Sequence, residues 1–229
     1  MRTVMLLPSI VLTVLALAGR SAVAADELVP FKTAIPQEVL VGTPPDVLGQ
    51  LYPHLYLSKE EQNPSLKVPK GTVNLALKKP VTSSDKEPIF GKLSMVTDGD
   101  KEGGEENYVE LGPGLQWVQI DLEKPAEIFA VYLWHFFREA RSYHTVIVQV
   151  ADDAEFTKNV RTLFNTDKEN TAGKGVGKDR AYIETNYGRL IDAKGVKARY
   201  VRLYSEGNTA SDLNHYVEVE VWGRPAEAQ

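Results

Sequence analysis

The sequence has 229 residues, 43% of them hydrophobic and 25% charged, with 26 Lys and Arg against 31 Asp and Glu for a formal net charge of −5. That balance excludes a disordered or fibrous chain, and its acidity argues against nucleic acid or anionic lipid as a main partner. There is no cysteine, so disulfides, thiolate metal sites, a cysteine nucleophile and a diacylglyceryl anchor are excluded.

Residues 1–24 read as an export signal. Arg2 precedes an apolar run from Val4 to Ala18 broken by Pro8, and Ala22-Val23-Ala24 stands before Ala25-Asp26. The run is too short, and its flanks are wrong, for a lasting membrane span. The expected destination is the periplasm or the cell exterior, and cleavage would remove Arg2 and Arg20, taking the net charge to −7. Residues 25–71 form a Pro-rich arm: Pro30, Pro36, Pro44, Pro45, Pro53, Pro64 and Pro69 leave it mostly extended. Val47, Leu48, Leu51 and Leu55 predict one short helix within Asp46 to Leu55. The composition fits a docked arm or a mobile linker.

From Val73 onward the hydrophobic period is two. Val118, Ile120 and Leu122 alternate with Gln119 and Asp121, and Val146, Val148 and Val150 alternate with Thr145, Ile147 and Gln149. Further strand-like runs cover Ile128 to Phe136, Ala181 to Tyr187, Arg199 to Tyr204 and Tyr216 to Trp222, separated by Gly- and Asp-rich turns. With no long helical period between them, the expected fold over residues 72–223 is all-β: an antiparallel two-sheet β-sandwich, or jelly roll, followed by a short tail at 224–229. Trp117 is expected to cover core or an inter-sheet edge, and Arg199 and Arg202 to pair with acids at the rim.

Binding residues on a sandwich usually sit on loops at one end of the scaffold. Between Trp134-His135 and Tyr143-His144 lies Phe136-Phe137-Arg138-Glu139-Ala140-Arg141-Ser142. If the flanking strands form a hairpin, His135 and His144 meet at its base. Aromatic faces and guanidinium groups suit a sugar, which stacks its C–H face on a ring and hydrogen-bonds through its hydroxyls. The ligand candidates are therefore Trp134, His135, Phe137, Arg138, Arg141, Tyr143 and His144, with Asn214, His215 and Tyr216 from the loop before the last strand. The alternative places the aromatic residues in the core and the arginines in solvent. A second feature, Asp98-Gly99-Asp100-Lys101-Glu102-Gly103, offers hard oxygen ligands around a tight turn, the chemistry a structural Ca²⁺ prefers. It is not a helix-loop-helix calcium loop, because Val109 stands at the twelfth position. Asp98 and Asp100 capping a turn is the competing reading. Gly173-Lys174-Gly175-Val176-Gly177-Lys178 lacks the spacing of either nucleotide-phosphate loop, and no nucleophile elbow or zinc-protease run occurs.

Five motifs, in order, resemble the discoidin or coagulation-factor type C family: Asn74 to Ser84, Val96-Thr97-Asp98-Gly99-Asp100, Gln116 to Leu122, Ala198 to Tyr204 and Val217 to Gly223. The resemblance spans about residues 72 to 223. It implies a galactose-binding-like jelly roll serving as a non-catalytic adhesion or carbohydrate-binding module. It also implies a structural calcium held by backbone carbonyls, Asp98 or Asp100, and Glu218. The chain departs from the family at Gly103 and Gly104, where a threonine ligand often stands. The functional expectation is an exported module that binds carbohydrate or a glycoconjugate. The alternative is a protein-interaction or envelope-assembly module, and behind both stands a glycoside hydrolase.

Overall fold

The computed structural model describes residues 26–226. The export signal expected over 1–24, and the last three residues of the tail, lie outside the described residues. In chain order the elements are β1 (Leu28–Pro30), α1 (Pro45–Leu51), α2 (Lys59–Gln62), β2 (Lys67–Pro69), β3 (Val73–Asn74), β4 (Val81–Ser83), a 3-10 turn (Leu93–Thr97), β5 (Val109–Leu111), β6 (Gln116–Trp134), β7 (Ile147–Ala151), β8 (Arg161–Asn165), β9 (Arg189–Ser205), β10 (Asn214–Tyr216) and β11 (Glu218–Pro225). Seven strands form one antiparallel sheet in the order β3-β11-β6-β9-β7-β8, with β4 also beside β6; β5 pairs with β10, and β1 with β2. The expected all-β sandwich is what the chain forms.

The predicted strands at 118–122 and 128–136 are the two halves of β6. Its pairing with β9 shifts register between Asp121 and Ala126, where Glu123 takes φ +66° and Pro125 has no N–H to give the ladder. One face of β6 (Val118, Ile120, Ile128, Val131, Leu133) packs with Val148, Val201, Leu203, Val219 and Val221, and with Val109, Leu111 and Tyr216 of the β5–β10 pair. On its other face Ala130, Tyr132 and Trp134 are equally buried, covered by Phe31, Ile35, Val39 and Leu66 of the arm. A strand buried on both faces reads as a continuous apolar run, as Ile128 to Trp134 does.

The arm is docked. Phe31 donates its N–H to Leu66 O at 2.8 Å, and its ring meets Trp222 edge-on at 5.3 Å. Asn186 Nδ2 donates to Pro36 O at 2.9 Å, Ile183 N–H to Leu55 O at 2.9 Å and Arg180 Nη2 to Tyr56 O at 2.9 Å. The expected short helix is α1, which ends at Leu51 ahead of Pro53; a second, not expected, is α2, where Ser58 and Glu61 form a capping box.

Three expectations are corrected. Ala181 to Tyr187 is not a strand, because its backbone bonds go to the arm and to Arg141 O rather than into the sheet. The strands flanking the aromatic loop are not a hairpin, because β9 lies between β6 and β7. Among the described residues Arg202 pairs with no acid: it bonds Gln119 Oε1 at 2.8 Å and lies between the Trp117 and Phe156 rings, 4.4 and 4.0 Å away. Arg199 does pair as expected, both contacts to Asp121 being 2.8 Å.

Candidate functional site

The segments 135–146 and 206–213 run antiparallel at one end of the sandwich. Thr209 N–H donates to Ser142 O at 3.0 Å, His144 N–H to Gly207 O at 3.1 Å and Glu206 N–H to His144 O at 3.0 Å. Beside this zipper, β10 pairs with β5 so that His215 lies opposite Glu110. Loops and pair together bound a hollow of about 330 Å³ whose wall includes Tyr108, Glu110, Phe136, Glu139, Arg141 and His215. Tyr108 sits 5.0 Å from Phe90 and 5.0 Å from Phe136, and Phe90 is 38% exposed. The result is an aromatic platform beside fixed charged groups.

Those groups are held from behind. The Arg141 guanidinium stacks 4.7 Å over Phe136 and donates to Glu139 Oε2 at 2.6 Å. His215 Nε2 lies 3.0 Å from Glu110 Oε2, and Nδ1 lies 2.9 Å from the Tyr143 hydroxyl. Burial, then the Arg141 charge, lower the His215 pKa to about 4, while burial raises that of Glu110. At neutral pH the imidazole is therefore uncharged, donating to the carboxylate and accepting from the phenol. Burial holds the Tyr143 hydroxyl protonated, well above the usual phenol range. Tyr143 stacks at 4.3 Å on His135, whose Nδ1 is 2.7 Å from Glu184 Oε1.

Of the expected ligand residues, Arg141 and His215 reach the hollow. Trp134, His135, Phe137, Tyr143, Asn214 and Tyr216 are buried and offer a ligand no face. Trp134 stacks on Tyr132 at 4.0 Å, Asn214 Nδ2 donates to Gly112 O at 2.8 Å, and Tyr216 belongs to the main core. Arg138 turns away to Glu105 Oε1 at 2.8 Å, and His144 is exposed but outside the wall. Tyr108, Glu110, Glu139 and the neighbouring Leu213 were not anticipated. The alternation Tyr108-Val109-Glu110-Leu111 carried a signal, since Val109 and Leu111 are fully buried and leave Tyr108 and Glu110 on the other face. A separate hollow of about 440 Å³, walled by Asp152, Arg161, Lys197 and Arg199, has no aromatic ring.

The acidic loop behaves first as a turn. Asp98 Oδ1 accepts from Asp100 N–H at 2.8 Å, and Asp100 Oδ1 from Glu102 N–H at 3.1 Å. Glu218 Oε2 accepts from Gly99 N–H at 3.2 Å, which brings the strand carboxylate to the loop. Its Oε1 is buried without a partner, and burial lifts the Glu218 pKa to about 9. An orphaned carboxylate oxygen of this kind suits a cation, although among the described residues no three acidic or imidazole side chains converge. At Gly103 φ is +59°, and a Cβ there would come within 2.4 Å of the Phe137 ring, so the position suits glycine.

No family model and no curated protein matches this chain. Among solved structures, a family 89 glycoside hydrolase from Clostridium perfringens matches 67% of this chain and 15% of that enzyme at 18% identity and a TM-score of 0.50. A chitosan-binding module of a Paenibacillus sp. IK-5 chitosanase/glucanase is similar over 66% of this chain and 99% of its own length, at 22% identity and a TM-score of 0.48. A fucose-binding module of Streptococcus pneumoniae is similar over 65% and 96%, at 18% identity and a TM-score of 0.46. What the chain shares with the first of these is a fold. No helix among the described residues is long and apolar enough to cross a membrane.

Proposed function

We propose that this chain is an exported, non-catalytic module that binds carbohydrate in the hollow walled by Tyr108, Glu110, Phe136, Glu139, Arg141 and His215. The supporting observation is the convergence there of ring faces with a guanidinium and carboxylates held in place by their own partners. That is how a protein grips a polyol: stacking for the C–H face and directional, charge-assisted hydrogen bonds for the hydroxyls. Two carboxylates stand against one guanidinium, which favours neutral or amino sugars over uronic acids. Both nitrogens of His215 are engaged, which fits holding a ligand better than moving a proton. A structural calcium at the Asp98–Asp100 loop, closed by Glu218, belongs to the same proposal. There the ion would supply positive charge to the buried carboxylate and fasten the loop to β11.

Titration of methyl glycosides of fucose, galactose, N-acetylglucosamine and glucosamine, followed by ligand-observed NMR and calorimetry, tests the site. At least one should bind, and Tyr108→Ala or Glu110→Gln should weaken it about tenfold or more while leaving the fold intact. Folded wild-type protein that retains none of them would refute the reading.

A further inference from the structure

Next to the sugar hollow, and sharing Arg141 and Ala210 with it, lies a second cleft of about 470 Å³. Its far wall is Leu48, Tyr52 and Leu55 of the arm, and its near wall includes Ala140 and Ile183. The arm thus builds part of a cavity that adjoins the site on the sandwich. We infer that this cleft is the second half of one binding site and takes the apolar aglycone, aryl or short alkyl, of a glycoside whose sugar occupies the hollow; the inference rests on the carbohydrate reading.

The lining decides the occupant. A second sugar would need several hydrogen-bond partners, and besides the shared Arg141 the side chains of the cleft supply three hydroxyls, those of Tyr52, Ser142 and Thr209, against five aliphatic residues. Thr209 Oγ1 already accepts the Ser142 N–H at 3.1 Å, and Arg141 lies on the side shared with the hollow, held there by Glu139 and the Phe136 ring. What remains is leucine, isoleucine, alanine and a tyrosine face that is 52% exposed. Such a surface favours an apolar group over a hydroxylated one. The wall is fixed in place: Val41 N–H bonds Arg138 O at 2.6 Å, Ile183 N–H bonds Leu55 O at 2.9 Å, and a Cβ at Gly49 would come within 2.7 Å of Tyr56, so α1 lies hard against the segment that follows it. A preformed cleft spares its ligand the cost of ordering the arm.

The full mature chain is titrated with matched methyl and p-nitrophenyl glycosides of each sugar, with p-nitrophenol alone, and with a disaccharide carrying the same terminal sugar. The aryl glycoside should bind about tenfold tighter than its methyl counterpart, about 1.4 kcal/mol. Tyr52→Ala, at an exposed position, should remove that gain without changing methyl-glycoside affinity, and Leu48→Ser should repeat the result. Equal affinities for methyl and aryl glycosides would overturn the aglycone subsite and leave the sugar site standing. A disaccharide that matches the aryl gain, or p-nitrophenol that binds as tightly as its glycoside, would likewise overturn it. If no glycoside of either series binds, both readings fail together.

Discussion

Lys101 ties the acidic loop, the sheet and the arm together, and removing its charge is the sharpest test of the packing. Its ammonium donates to Thr33 Oγ1 of the arm at 2.9 Å and to Glu220 Oε1 of β11 at 2.5 Å, and it lies 4.6 Å from the Trp134 ring. The two charged side chains are only 9% and 7% exposed. Lys101→Met keeps the length and the apolar contact with Trp134 but leaves the Glu220 carboxylate buried without its cation. Losing one partner of a buried pair costs about 3–5 kcal/mol. Glu220 keeps bonds from Thr33 at 3.2 Å and from Trp222 Nε1 at 2.8 Å, so the lower end, about 3 kcal/mol, is expected. For a domain near 200 residues that is a fall of about 6–12 °C in melting temperature. The double variant Lys101→Met/Glu220→Gln should recover most of the loss, because the amide oxygen accepts the same bonds without charge. Urea unfolding followed by tryptophan fluorescence measures both, and limited proteolysis should show the arm cut first in the single variant. A single-variant loss below about 1 kcal/mol, or a double variant whose loss is the sum of the two singles, would refute the claim that this pair pins the arm.

Acid should act through His215. Its folded pKa, about 4, is below the ordinary 6.5, so the unfolded chain takes up the proton first. The stabilising contribution is fully present above pH 6.5 and is lost as pH falls through 4, by up to about 3 kcal/mol. Urea midpoints at pH 7 and 4 should therefore differ more for wild type than for His215→Gln, and equal slopes for the two proteins would count against the assignment. Calcium should raise the melting temperature relative to a chelator, with Glu218→Gln or Asp100→Ala abolishing the response; identical melting of wild type with and without chelator removes the ion from the proposal.

The sandwich was legible because alternation survives wherever one face meets the core, as in Val118-Gln119-Ile120. It was harder to read where both faces are covered. The run Ile128 to Trp134 announces a strand without saying what lies on its outer side, and the answer, Phe31 and Ile35, sits about a hundred residues earlier in a segment whose prolines equally suit a linker. The hairpin reading failed for a related reason: β9, which separates β6 from β7, follows both in sequence, and local pattern carries no record of a later strand inserted between earlier ones. At the site, residue type was the misleading guide. Trp134, Phe137 and Tyr143 have the chemistry of a sugar platform, yet burial claimed them, while Tyr108 and Glu110 reach the hollow through a three-residue strand paired across to His215.

That pairing also bears on what the hollow can do. Glu110, His215, Tyr143, His135 and Glu184 form an unbroken series of hydrogen bonds and one ring stack running from the hollow into the core. Each member fixes the next, so moving the Glu110 carboxylate means disturbing groups buried several residues deep. A catalytic acid or base must change protonation while its surroundings stay in place. Here the pKa values of His215 and Tyr143 are displaced away from neutrality, while burial raises that of Glu110. Rigidity of this kind lowers the entropy lost when a ligand is held. The arm extends the same logic: anchored by Lys101 and by backbone bonds to Arg138 and Ile183, it presents Tyr52 and Leu48 as a fixed wall rather than a closing lid. If the proposed sugar and aglycone sites hold, a wall so constructed would select among ligands by fit to a shape it already has, and small changes in aglycone should then register as changes in affinity.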